Sequence, residues 1–142
     1  MNPPNRKEEL ILRWLDKADE DLDAGIHLLS EGPLFPNVAA SQAQQAAEKF
    51  IKGYLTWSQI DFPKTHNLEI LLDLMAEKEV RMASELKEIT LLTRFVITAR
   101  YPDDISEISL AQAQEAITLA QRAKEIIISA LPSEITLKRR RP

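Results

Sequence analysis

Apolar residues recur at steps of three and four through the first part of the chain, a spacing that suits a helix and not a strand. Ile11, Trp14, Leu15, Ala18, Leu22, Gly25, Ile26 and Leu29 fall on one face of a helix expected from about Glu8 to Ser30. Arg13, Asp16, Lys17, Asp19, Glu20, Asp21 and Asp23 lie between them as a charged outer face. Asp16, Asp19, Glu20 and Asp23 share a side, yet nothing in the sequence brings ligands to them from a second helix. They read as a solvated face, not a metal site. Gly32 and Pro33 stop the helix, and Pro36 resets the chain.

The same period returns four more times. A second helix is expected from Asn37, as its cap, to about Ser58, with an inner face of Ala39, Ala43, Ala46, Ala47, Phe50, Ile51, Tyr54 and Leu55. Small residues let helix axes approach closely, so this helix is expected at the centre. Gln42, Gln44, Gln45, Glu48, Lys49 and Lys52 form its other face. A short third helix follows from about Asn67 to Glu79, with Leu68, Leu71, Leu72 and Met75 as its stripe. A fourth covers about Met82 to Arg100 through Leu86, Ile89, Leu92, Phe95, Val96 and Ala99. It ends at Tyr101-Pro102, because proline disfavours helical geometry in the residue before it. A fifth runs from about Ser109 to Leu131, with Ser106 or Ser109 as cap and Ala113, Ala116, Ile117, Ala120, Ala123, Ile127 and Leu131 inside.

These segments predict an all-α chain: an antiparallel up-and-down helical bundle of four main helices plus one short helix. With no internal repeat or linker, residues 1–142 read as one domain with short flexible ends at about 1–7 and 133–142. The composition agrees, since only 3 glycines and 6% aromatics leave little for a β-sandwich to be built from. Cysteine is absent, which excludes disulfides, thiolate metal sites and a cysteine nucleophile. The first residues hold no apolar signal core, and no apolar run approaches the roughly 18 residues that span a bilayer. The expected location is the cytoplasm, with no membrane contact.

A net charge of −4 argues against broad nucleic-acid binding. The exception is the tail Lys138-Arg139-Arg140-Arg141, read either as a solvated terminus or as a weak, salt-sensitive contact to an anion or nucleic acid. No glycine-rich phosphate loop, His-Glu-x-x-His or Cys/His cluster is present. His27, near the end of the first helix, reads as a packing or helix-end residue. His66 is the more informative histidine. It lies in Pro63-Lys64-Thr65-His66-Asn67-Leu68, where a loop enters a helix whose amides and dipole suit an anion. The plainer alternative is that Thr65 or Asn67 caps the helix while His66 bonds a neighbour. Arg100 likewise reads either as a cation at a helix C-terminus or as a fork for a phosphate, with Tyr101 able to stack on a base.

Trp14-Leu15-Asp16-Lys17-Ala18, Gln44-Gln45-Ala46-Ala47-Glu48-Lys49 with Lys52, Lys64-Thr65-His66-Asn67-Leu68, Leu92-Thr93 and Arg100-Tyr101-Pro102 occur in one order over about residues 10–130. In that combination the chain resembles the HEPN domain family, the higher-eukaryote-and-prokaryote nucleotide-binding group. The resemblance implies a helical bundle, a homodimer, and a partner that is a minimal nucleotidyltransferase, in some pairs as a toxin–antitoxin system. Many HEPN members are also metal-independent ribonucleases carrying an Arg four to six residues before a His. That motif fails here: Arg13 lies too far before His27, and no histidine follows Arg94 or Arg100. No catalytic residue is carried over.

What the resemblance implies is contact with a nucleotide or its phosphate at Lys49, Lys52, Lys64, His66, Arg100 and Tyr101, with ATP or another nucleotide plus Mg²⁺ as the ligand and RNA behind it. The leading expectation is a non-catalytic binding module that pairs with a nucleotidyltransferase. One alternative is a divergent ribonuclease using His66 or Tyr101. The other is a structural homodimer joined through apolar residues such as Trp57 and Ile60.

Overall fold

The computed structural model describes residues 5–31, 35–93 and 108–139. Every element among them is helical: α1 (Arg6–Ser30), α2 (Pro36–Trp57), α3 (Leu68–Ala76), α4 (Val80–Glu85), a 3₁₀ turn (Lys87–Leu91), α5 (Leu110–Ala130) and α6 (Ser133–Thr136). The protein is a helical bundle, as its periodicity requires.

Two glycines show how the long helices run. A Cβ placed on Gly25 would stand 2.8 Å from Ile117 Cδ1 and 3.2 Å from the Ala39 carbonyl, while one on Gly53 would stand 3.2 Å from Leu15 Cδ2. Pairing of Leu15 with Gly53 and of Gly25 with Ala39 makes α1 antiparallel to α2. Pairing of Gly25 with Ile117, and of Asp19 with Lys124, makes α1 antiparallel to α5. Ala39, Ala40, Ala43, Ala46 and Ala47 are wholly buried along α2, which lets that helix sit at the centre. Around them pack Ile11, Leu15, Phe50, Ile51, Leu55, Leu68, Leu71, Met75 and Ile127, all without solvent exposure.

Several local expectations change. Asn37 does not cap α2. Phe35 holds the cap position at φ 64°, and the Asn37 side chain instead accepts a hydrogen bond from the Ile108 amide at 3.1 Å. The fourth helix starts at Val80, stops at Glu85 and gives way to the 3₁₀ turn, while residues 94–100 lie outside the described residues. Its buried residues Ala83, Leu86, Ile89 and Leu92 recur every third position, the period of the tighter helix. Ile26, assigned to the inner face, is exposed. Trp57 and Ile60, assigned to a dimer face, are half-buried and pack on the core.

The ends expected to be flexible are built into the fold as far as they are described. Asn5 caps α1 by accepting from the Glu8 amide at 2.9 Å. Beyond α5, Ile135 of α6 is buried, a contribution of roughly 2 kcal/mol. Lys138 pairs with Glu8 at 3.1 Å, and Arg139 Nη1 lies 3.8 Å from Asp19 Oδ2. Asp19 is therefore not part of a solvated face. It is 1% exposed and held at 2.7 Å by Lys124. His27 keeps the helix-end role expected of it, exposed in the last turn of α1 beside Glu31.

Candidate functional site

Gln44, Glu48 and Lys52 occupy one stripe of α2, each a helical turn beyond the last. The sequence suggests a polar outer face, but all three are buried, because the segment from Phe62 to Asn67 folds across them. Gln44 Nε2 donates to the His66 carbonyl at 3.1 Å, and Lys52 Nζ donates to the Thr65 carbonyl at 2.9 Å. Glu48 divides its carboxylate: Oε2 takes Lys52 Nζ at 3.3 Å, and Oε1 lies 2.8 Å from His66 Nδ1. The Lys52 ammonium also sits 5.5 Å from the Trp14 ring centre and 5.8 Å from that of Phe62. Those two rings meet edge to face at 6.2 Å, closing an aromatic cover over the cation.

The loop's own polar residues finish the turn into α3. Thr65 Oγ1 accepts from the Asn67 amide at 3.1 Å. Asn67 Oδ1 accepts from the amides of Glu69 at 2.9 Å and Ile70 at 3.4 Å. The anion-ready helix end suggested by the sequence is thus largely filled by its own cap, and the plainer reading of Asn67 is the one observed.

The six residues expected to contact a nucleotide separate into three groups. Lys52 is committed to Glu48, Thr65 and two rings, and Lys49 is ion-paired with Asp21 of α1. Lys64 and His66 remain exposed, with 70% of the His66 side chain open to solvent although Nδ1 is held. Arg100 and Tyr101 lie outside the described residues. Glu48 and Gln44 were not among the expected contacts: their four-residue spacing with Lys52 places them on one helix face, but nothing in that spacing distinguishes a covered face from a solvated one.

Chemically, the result is an imidazole oriented by a buried carboxylate. When Nδ1–H is donated to Glu48, the outward Nε2 is left to accept a proton or a hydrogen bond. Among the described residues, no group of three His, Cys, Asp or Glu side chains is arranged to hold a metal ion. No helix among them is long and apolar enough to cross a membrane.

The family model for the HEPN domain matches residues 11–131. The chain belongs to the HEPN domain family. The match runs from Ile11, within α1, to just past the end of α5, so it takes in the Gln44–Glu48–Lys52 stripe and the loop it holds. Comparison with curated proteins and with solved structures gives no match. Within this HEPN domain, then, the Gln-Gln-Ala-Ala-Glu-Lys run serves largely as a clamp. Ala46 and Ala47 face the core, Gln44 and Glu48 grip the loop, and Lys49 ties α2 to α1.

Proposed function

We propose that this HEPN domain is a non-catalytic nucleotide-binding module that meets a phosphate through His66 and Lys64. The observation that carries this reading is the Glu48–His66 contact at 2.8 Å, which fixes an exposed imidazole beside an exposed lysine on a firmly held loop. Protonated at both nitrogens, the ring donates Nδ1–H to Glu48 and Nε2–H to the phosphate, and a preorganised donor loses less freedom on binding than a mobile one. Lys49 and Lys52 drop out of the contact set, because their charges are already answered within the fold. Arg100 and Tyr101 stay in it on the family pattern alone.

In the same reading the module pairs with a minimal nucleotidyltransferase, and the pair acts as a toxin–antitoxin system. The missing Arg…His motif supports a binding role over a cutting one. The test is calorimetric titration with ATP and Mg²⁺, alone and with the partner enzyme present. Binding weakened at least tenfold by His66→Ala and Lys64→Ala, but not by Lys49→Gln, supports the site. Binding unchanged in both variants removes it. Failure to copurify with a cognate nucleotidyltransferase removes the pairing.

A second reading rests on the same contact. A carboxylate that orients an imidazole is half of a general-base arrangement: the imidazole takes the proton of a ribose 2′-hydroxyl, the 2′-oxygen bonds the neighbouring phosphorus, and the P–O5′ bond breaks with the 5′-oxygen leaving and taking a proton from water. RNA cleavage abolished by His66→Ala, in a preparation free of other nucleases, favours this reading. Cleavage that is absent, or unaltered in the variant, removes it.

A further inference from the structure

The C-terminal segment is held in a way that suits release. Residues 133–139 pack back onto α1 through one buried apolar side chain, Ile135, and two ion pairs. Lys138 and Glu8 meet at 3.1 Å with about a quarter of each side chain exposed, so added salt weakens that pair. The second pair is a poor fit. The Arg139 guanidinium is 8% exposed and stands 3.8 Å from Asp19, and its Nη1 has no hydrogen-bond partner among the described residues. A desolvated guanidinium nitrogen without an acceptor is unfavourable, and a phosphate offers it two acceptors at once.

Asp19 does not depend on this contact. Lys124 holds it at 2.7 Å from the other side, so departure of Arg139 leaves the buried carboxylate with a cation. The docked state therefore holds Lys138 and Arg139 against an acidic helix, and undocking leaves Asp19 paired with Lys124 and returns Glu8, already partly exposed, to solvent.

We infer that residues 133–139 form a releasable strap, closed on α1 in the isolated protein and opened by single-stranded RNA, whose phosphates take the cations from Glu8 and Asp19. This strap lies on α1 and shares no residue with the His66 loop, so it stands or falls independently of the nucleotide site.

The test is amide hydrogen exchange on the full chain with a single-stranded oligouridylate as probe. The reporting amides are those of Leu137, Lys138 and Arg139, which bond the carbonyls of Ser133, Ile135 and Thr136 at 2.9, 3.0 and 3.3 Å. Saturating RNA is expected to speed their exchange severalfold while the core of α2 stays protected. Raising salt from about 50 to about 500 mM without RNA is expected to do the same. Glu8→Gln, a surface change that leaves the core intact, is expected to open the strap at low salt and tighten RNA binding severalfold. Lys138→Gln is expected to lower the salt slope of binding by about one. Absence of RNA binding overturns the proposal. So does RNA bound with these amides equally or better protected, or a Glu8→Gln variant whose exchange and affinity match the parent protein.

Discussion

Glu48 and His66 are joined at 2.8 Å between Oε1 and Nδ1, and the carboxylate that holds the imidazole is itself held by Lys52 from one turn further along the same helix. The loop's position thus depends on a cation that never reaches the surface. Lys52→Met leaves Glu48 buried without its cation and the Thr65 carbonyl without its donor. The expected loss is about 3 kcal/mol of stability by urea unfolding. Lys49→Met breaks a pair that is about one-fifth exposed on each side, and about 1 kcal/mol is expected there. Equal losses in the two variants would show that Lys52 is not desolvated as described.

The two interhelical glycines should respond differently to alanine. At Gly25 the new methyl meets both Ile117 Cδ1 and the Ala39 backbone oxygen, and a carbonyl in a packed helix cannot step aside. Overpacking outweighs the helix-propensity gain, and Gly25→Ala is expected to destabilise by about 1–2 kcal/mol. At Gly53 the neighbours are side-chain atoms of Leu15 and Trp14 at 3.2 Å or more. Small rotations relieve them, so Gly53→Ala should change stability by less than about 1 kcal/mol. Thermal unfolding of both variants decides the matter, and the reverse order would contradict the packing.

Ser109 and Gln112 form a reciprocal capping box at the start of α5, with Ser109 Oγ accepting from the Gln112 amide at 3.1 Å and Gln112 Oε1 from the Ser109 amide at 2.9 Å. Ser109→Ala removes half of it and should lower stability by about 1 kcal/mol. Ser109→Asp, which keeps an acceptor at the same place, should restore most of that loss. A serine-to-alanine change without effect would mean that α5 does not start where it is described.

Tyr54 stands in the last turn of α2, its ring tilted against that of Trp57 with centres 5.6 Å apart. Burial raises its phenol above the usual 10.0; a hydrogen bond with Ser58 opposes the shift, and the charge of Glu79 adds to it. A raised pKa means that the folded state keeps its proton longer than the unfolded chain. The stabilisation is fully present below pH 10 and is lost as pH rises past 10 through the folded value. Denaturation followed across the alkaline range should show this fall. Tyr54→Phe should flatten it, and an identical slope in the variant would assign the effect elsewhere.

Much of this fold was legible in the sequence because the apolar period and the caps agree. The inner face of α5, from Ala113 to Leu131, is buried at every expected position, and Ser109 and Asn67 cap the helices expected of them. What the sequence hid were polar residues whose burial depends on a distant segment. Asp19 looks like its acidic neighbours until Lys124 and Arg139 arrive from beyond residue 120. Gln44, Glu48 and Lys52 look like a solvated face until the 62–67 segment covers them. Periodicity reports which side of a helix is apolar; it does not report when a polar side acquires its own lid. Lys52 was expected at a phosphate through the family resemblance, which carries over a residue's position in a motif and not its burial.

The hydrogen bond from the Ile108 amide to Asn37 Oδ1 joins positions 71 residues apart, whereas only a few residues of chain separate α1 from α2. Closing the larger loop costs more chain entropy, and its reward is deferred until α5 is in place. The α1–α2 hairpin is therefore the piece expected to assemble first, with Asn37 acting as a late lock. Substitutions at Ala43 or Ala47 should slow folding, while Asn37→Ala should mainly hasten unfolding, a division that chevron kinetics can read directly.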